Sequence, residues 1–147
     1  MTEIEFHTNV PDKLAFSCRL LRKVYRNGVR AVVIAEPALL AGLDDLLWSF
    51  SATDFLPHCL IAAGGPRVAH SPVLLAATTE GCPPDSVLIN LGQTMPEGFE
   101  RFDRFLEVIT GGEDRLPGRQ RWKKYEEMGY KLKQHVAPAE NPERAGA

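Results

Sequence analysis

The 147-residue chain predicts an α/β protein, a three-layer α/β/α domain built on an open, mostly parallel (mixed) sheet of Rossmann-like type. Three observations predict it. The first third of the chain alternates strand, helix and strand over about 30 residues, a βαβ unit whose crossover is expected to be right-handed. Several short, continuous β-branched runs, such as Ala31-Val32-Val33-Ile34-Ala35, suit strands covered on both faces. The apolar fraction of 44% and charged fraction of 24% suit a globular domain with a real core, and argue against a disordered chain.

Taken in order, Ile4 and Phe6 alternate with Glu3 and Glu5 as in a strand with one buried face. Asn9-Val10-Pro11-Asp12 opens a helix in which Leu14, Cys18, Leu21 and Tyr25 recur at helical spacing, opposite Arg19, Arg22, Lys23 and Arg26. Asn27-Gly28 ends it, since glycine takes the left-handed cap conformation without a steric penalty. Pro37 suits the first turn of a second helix, because its missing N–H is no loss there. That helix runs through Leu39, Leu40, Leu43, Leu46 and Leu47 to Trp48. Residues 59–63 are a small apolar stretch that could form a strand, and 72–77 and 86–91 read as two further strands joined by Gly81-Cys82-Pro83-Pro84-Asp85.

Pro96 is expected to start a third helix, with Phe99, Phe102, Leu106 and Ile109 inside and Glu100, Arg101, Asp103, Arg104 and Glu107 outside. Gly111-Gly112 breaks it, and Asp114 is the expected N-cap of a last helix ending near Gly129-Tyr130. On that helix Tyr125, Met128 and Leu132 form the expected core stripe. At 100° per residue, Arg115, Arg119, Trp122 and Lys123 share a sector of about 100°. Residues 1–136 are thus expected to form one domain, and 137–147, a polar Ala/Glu/Pro tail, to be disordered.

Composition removes several function classes. No apolar run approaches the roughly 18–20 residues that span a bilayer. The opening Met-Thr-Glu-Ile-Glu-Phe has no basic segment followed by an apolar stretch, so no signal peptide is expected. Cys18, Cys59 and Cys82 form no CxxC pair and are expected as buried, reduced thiols in a cytoplasmic protein without a zinc site. His7, His58, His70 and His135 are scattered with no metal-binding spacing, and no nucleophile–base set stands out. His58 reads as a turn histidine with a backbone hydrogen bond. The chain therefore reads as non-catalytic, with no cofactor and no metal.

Two rival readings rest on weaker signals. A small nucleotide-binding α/β enzyme would need a phosphate loop. Ala63-Gly64-Gly65-Pro66-Arg67 is a poor one, because it leads into a strand rather than a helix N-terminus. A direct single-stranded nucleic-acid binder would stack bases on aromatics between cations. Trp122 is one aromatic among Arg115, Arg119 and Lys123, which suits an acidic peptide with an aromatic anchor better.

The stretch 43–58 concentrates large apolar groups at a helix end. Leu43-Asp44-x-x-Leu47-Trp48-x-Phe50 runs into Phe55-Leu56-Pro57-His58, followed by Pro72-Val73, Arg119-x-Arg121-Trp122-Lys123-x-Tyr125 and Gly129-Tyr130. In order and spacing these resemble the chi subunit family of bacterial DNA polymerase III, over nearly the whole chain. The resemblance implies a non-catalytic accessory subunit of the clamp-loader assembly, acting in DNA replication. Trp48 and Phe55 match aromatic positions of the surface that binds the psi subunit, or in some members a helicase. Arg119, Trp122 and Lys123 match the basic and aromatic positions that hold the acidic C-terminal peptide of single-stranded DNA-binding protein. Arg115 matches a further basic position, and Ile109 is assigned to the far wall of that pocket. Trp122 stands where some members have tyrosine, and the link Thr110-Gly111-Gly112-Glu113 is shorter than in some. Leu43, Leu46 and Leu47 are expected in the core, while Asp44, Pro57 and His58 are expected to shape the turn.

Overall fold

The computed structural model describes residues 2–49, 56–61 and 71–137. In chain order the elements are β1 (Glu3–Val10), α1 (Lys13–Arg26), β2 (Ala31–Ile34), α2 (Pro37–Ser49), β3 (Cys59–Leu60), β4 (Val73–Ala76), β5 (Val87–Asn90), β6 (Arg104–Thr110), α3 (Arg115–Glu127) and β7 (Leu132–Val136). The strands form one seven-stranded sheet in the order β3-β4-β2-β5-β6-β1-β7. Every strand pairing among the described residues is parallel, so the sheet is not mixed there.

Parallel strands need crossovers, and the helices that supply them cover both faces. On one face Cys18, Leu21 and Val24 of α1 and Leu40, Leu43 and Leu47 of α2 pack against Val33, Leu75, Ile89, Leu106 and Val108. On the other, Tyr125 of α3 joins Ile4, Phe6, Val32, Leu88, Phe105 and Ile109, together with Phe99 and Phe102 from the β5–β6 link. The alternation Phe105/Glu107/Ile109 against Leu106/Val108 is the period of two that sends successive side chains to opposite faces. Cap chemistry holds the ends of α1. The Asp12 carboxylate accepts from the Ala15 amide at 3.1 Å, and Gly28 leaves the helix at φ 74°.

The helix expected from Pro96 is not there. A single 3-10 turn (Phe99–Arg101) precedes β6, which takes up Arg104–Thr110. Phe99, Phe102, Leu106 and Ile109 do recur at helical intervals. However, Phe105-Leu106 and Val108-Ile109 form an almost unbroken apolar run, and Glu107 within it points inward, fully buried. Reading Glu107 as a solvated charge created the false helical face. The chain beyond Tyr130 likewise forms β7 at the sheet edge, so Leu132 packs from a strand rather than from a helix stripe. Met128 and Tyr25, expected inside, are exposed. Strand β3 covers Cys59–Leu60 at the start of the apolar stretch 59–63, and residues 62–70, with the glycine-rich run, lie outside the described residues. The three cysteines are buried, unpaired thiols, as expected.

Two buried carboxylates tie the last third together. Glu107 accepts from Arg121 Nε at 2.9 Å and Nη2 at 3.2 Å, from Tyr125 Oη at 2.7 Å and from Asn90 Nδ2 at 2.9 Å. Burial raises the Glu107 carboxyl above its ordinary range, while the Arg121 guanidinium and the Tyr125 and Asn90 donors pull it back. Burial and the neighbouring Glu107 charge push the Tyr125 phenol far up. Asp114 precedes α3 but does not cap it with its side chain. It accepts instead from the Thr110 amide at 3.1 Å, Thr110 Oγ1 at 3.0 Å and Gln93 Nε2 at 2.8 Å, and pairs with Lys13 Nζ at 2.7 Å. Burial alone would raise its carboxyl; the bonds from Lys13 and Thr110 outweigh that and hold it below its ordinary value.

Tyr125→Phe keeps the ring contacts with Phe6, Phe99 and Phe105 but removes one donor from Glu107. Urea denaturation is expected to show a loss of about 1–3 kcal/mol. The lowered Asp114 carboxyl contributes stability that is present above about pH 4 and lost as pH falls through its folded-state value. Asp114→Asn is therefore expected to flatten the acid limb of a stability–pH curve.

Candidate functional site

The last helix is unusually polar, and few of its residues are buried against the sheet. Only Gly118, Arg121 and Tyr125 of α3 are buried, with Trp122 half-buried. A Cβ at Gly118 would lie 3.0–3.3 Å from three carbons of Ile109, so glycine lets α3 approach β6 closely. Arg121 and Tyr125 then seat the helix on Glu107. Trp122, one residue on, packs edge-on against Phe6 of β1, with centroids 5.0 Å apart at 68°.

These packings open a groove of about 400 Å³ between α3 and the β1–β7 edge. Ile109, Arg115, Arg119 and Trp122 line it together, four of the five residues assigned from sequence to one peptide site. Lys123 is not among the lining residues; it is exposed beside Trp122. Ile109 lies behind Gly118 and forms part of the floor. Among the described residues no carboxylate pairs with Arg115, Arg119 or Lys123. The groove thus combines an apolar wall with cations available to a ligand. That arrangement suits a carboxylate-bearing chain with an aromatic or aliphatic anchor.

Sequence reading missed the far side of this groove. Gln134 and Val136 of β7 line it with Thr8 and Asn9 of β1. Gln134 Nε2 donates to Thr8 Oγ1 at 3.1 Å, and the Ala137 amide donates to the Thr8 carbonyl at 2.8 Å. Val136, a large apolar residue in a polar stretch of the chain, is the signal that was available, and the structure leaves it 64% exposed. The alternation Leu132/Gln134/Val136 carried it, but missing β7 left those residues without a place.

The second patch lies on α2. Trp48 is 59% exposed, so it is a surface residue rather than part of the core. Its ring meets the His58 ring edge-on at 5.1 Å and 65°. His58 is fixed from both sides, with Nε2 at 2.8 Å from Asp44 Oδ1 and Nδ1 at 2.8 Å from the Leu56 carbonyl. Asp44 and His58 therefore tie the C-terminal part of α2, which carries Trp48, to the residues that lead into β3. Leu43 and Leu47 are buried and Leu46 half-buried. Phe55 lies outside the described residues.

A larger crevice, about 1140 Å³, opens at the carboxyl ends of β2, β4, β5 and β6. Such crevices hold nucleotides in many doubly wound folds. Here α2 begins with Pro37, which has no N–H to offer an anion. Lys13 and Arg101 at the crevice are engaged by Asp114 and Thr79. Glu36, Glu80, Glu97 and Glu113 add negative charge around it. Among the described residues that line it, neither cation is left unengaged for a phosphate. Among the described residues no helix is long and apolar enough to cross a membrane.

The family model described as "DNA polymerase III chi subunit, HolC" matches residues 1–133. A curated protein of Pseudomonas aeruginosa, named DNA polymerase III subunit chi, is 32% identical over 148 residues, covering 94% of this chain and 99% of the relative. That family is an accessory, non-catalytic component of the polymerase III complex. The chain belongs to the DNA polymerase III chi subunit family.

Proposed function

We propose that this chain bridges two partners during DNA replication. The α3 groove holds the acidic C-terminal tail of single-stranded DNA-binding protein, and the Trp48 patch, with Phe55, docks psi of the clamp loader or a helicase. The observation that carries the first half is the convergence of Ile109, Arg115, Arg119 and Trp122 on one groove. Carboxylates of the tail pair with Arg115 and Arg119, with Lys123 reinforcing the field at the rim. The anchor side chain of the tail lies against Trp122 and Ile109. What supports the second half is an exposed tryptophan near the end of α2, in a helix tied to His58 by Asp44, since large exposed aromatics mark docking sites. A weak tail contact gains strength when many tails are held near one polymerase.

A direct single-strand binder remains the rival reading, and the two separate cleanly in one titration. An acidic C-terminal peptide is expected to bind the wild type and to lose at least about ten-fold in affinity in Arg119→Glu, the scale of one charge-assisted hydrogen bond. A labelled oligonucleotide is expected to bind negligibly. Oligonucleotide binding alone, falling steeply with salt, overturns the proposal. Trp48→Ala is expected to leave the melting temperature and peptide affinity unchanged while abolishing binding of purified psi or helicase. Unfolding of that variant would contradict the surface placement, and intact psi and helicase binding would contradict its docking role.

A further inference from the structure

Glu5 and His7 are two apart on β1 and so face the same side of the sheet, away from α3 and the groove. In the parallel register His135 of β7 lies directly beside His7. The two imidazoles stack with centroids 4.9 Å apart at 21°. Glu5 Oε2 lies 3.4 Å from His135 Nε2 and 3.9 Å from His7 Nε2. One ligand atom from each of the three residues falls within 4.8 Å of the other two. Separations between ligand atoms in a tetrahedral centre with bonds of 2.0–2.1 Å are roughly 3.3 Å, so small rotamer adjustments close the set.

A second observation points to a missing ligand. His7 Nε2 is buried without a hydrogen-bond partner. Such an atom is destabilising unless something satisfies it. We propose that Glu5, His7 and His135 form a divalent transition-metal site of the zinc class. Two imidazoles and one carboxylate favour a borderline ion over magnesium or calcium, which prefer all-oxygen shells. His135 is exposed, which gives an entry path and leaves a fourth position to water. Arg104 is the competitor, with Nη2 at 3.4 Å from both Glu5 oxygens, and it must swing aside on its exposed stem. Lys133, beside Glu5 in the register, adds positive charge to the rim. The ion would tie the edge strand β7, whose opposite face lines the groove, to β1.

The test is calorimetric titration of the chelator-treated full chain with zinc. One ion per chain is expected, with affinity at least ten-fold weaker in His135→Gln and stronger in Arg104→Gln. Cobalt substitution is expected to give visible bands without a thiolate charge-transfer band. Absence of saturable binding overturns the site, as does affinity unchanged in His135→Gln. A thiolate band would assign the metal to cysteine and overturn it as well.

Discussion

The buried ion pair between Glu107 and Arg121 is the constraint on which the rest of the α3 layer depends. A helix with so thin an apolar stripe has little hydrophobic area with which to choose a position on the sheet. Glu107 makes the choice directional. Arg121, Tyr125 and Asn90 fill its acceptor sites from three directions, and Arg121 Nη1 also donates to the Gln93 carbonyl at 2.6 Å. Removing one partner from such a cluster is far more damaging than the cluster's net stabilisation suggests, because it strands the other charge. Gly118 sets the depth of the helix and Glu107 its rotation. Together they determine which way Arg119 and Trp122 face.

The sheet separates the two candidate surfaces. Seven strands span six gaps, roughly 29 Å at about 4.8 Å per gap. The groove lies over the β1–β7 end on one face. The helix bearing Trp48 packs over β4, toward the other end and on the opposite face. A partner at one surface need not exclude a partner at the other. This separation is what a bridging subunit requires, and it supports the proposed function without depending on either partner's identity.

The βαβ opening was legible because its signals are local. Asp12 and Gly28 punctuate α1, and β2 is a short β-branched run between two covered faces. The position of Trp48 at the end of α2 was legible for the same reason. The region from Pro96 onward was harder because its logic is non-local. Glu107 reads as a surface charge until its partners are known, and those partners lie in β5 and α3. The edge strand β7 carries a lysine, a glutamine and a histidine between Leu132 and Val136; its strand character comes from pairing with β1, at the other end of the chain. The same distance in sequence hides the Glu5–His7–His135 cluster from any rule based on spacing. Ile109 reached the groove by a different route, as a strand residue under Gly118 rather than as the end of a helix.

The seating of α3 by Glu107 is tested most directly by Arg121→Lys. Lysine keeps the positive charge but cannot offer the guanidinium fork, so charge and geometry are separated. Arg121 is buried and lines no part of the groove. If the ion pair orients the groove, acidic-peptide affinity should fall several-fold in Arg121→Lys while circular dichroism stays native. Unchanged affinity in a variant that has lost stability would contradict this, showing that the groove keeps its shape without that pair.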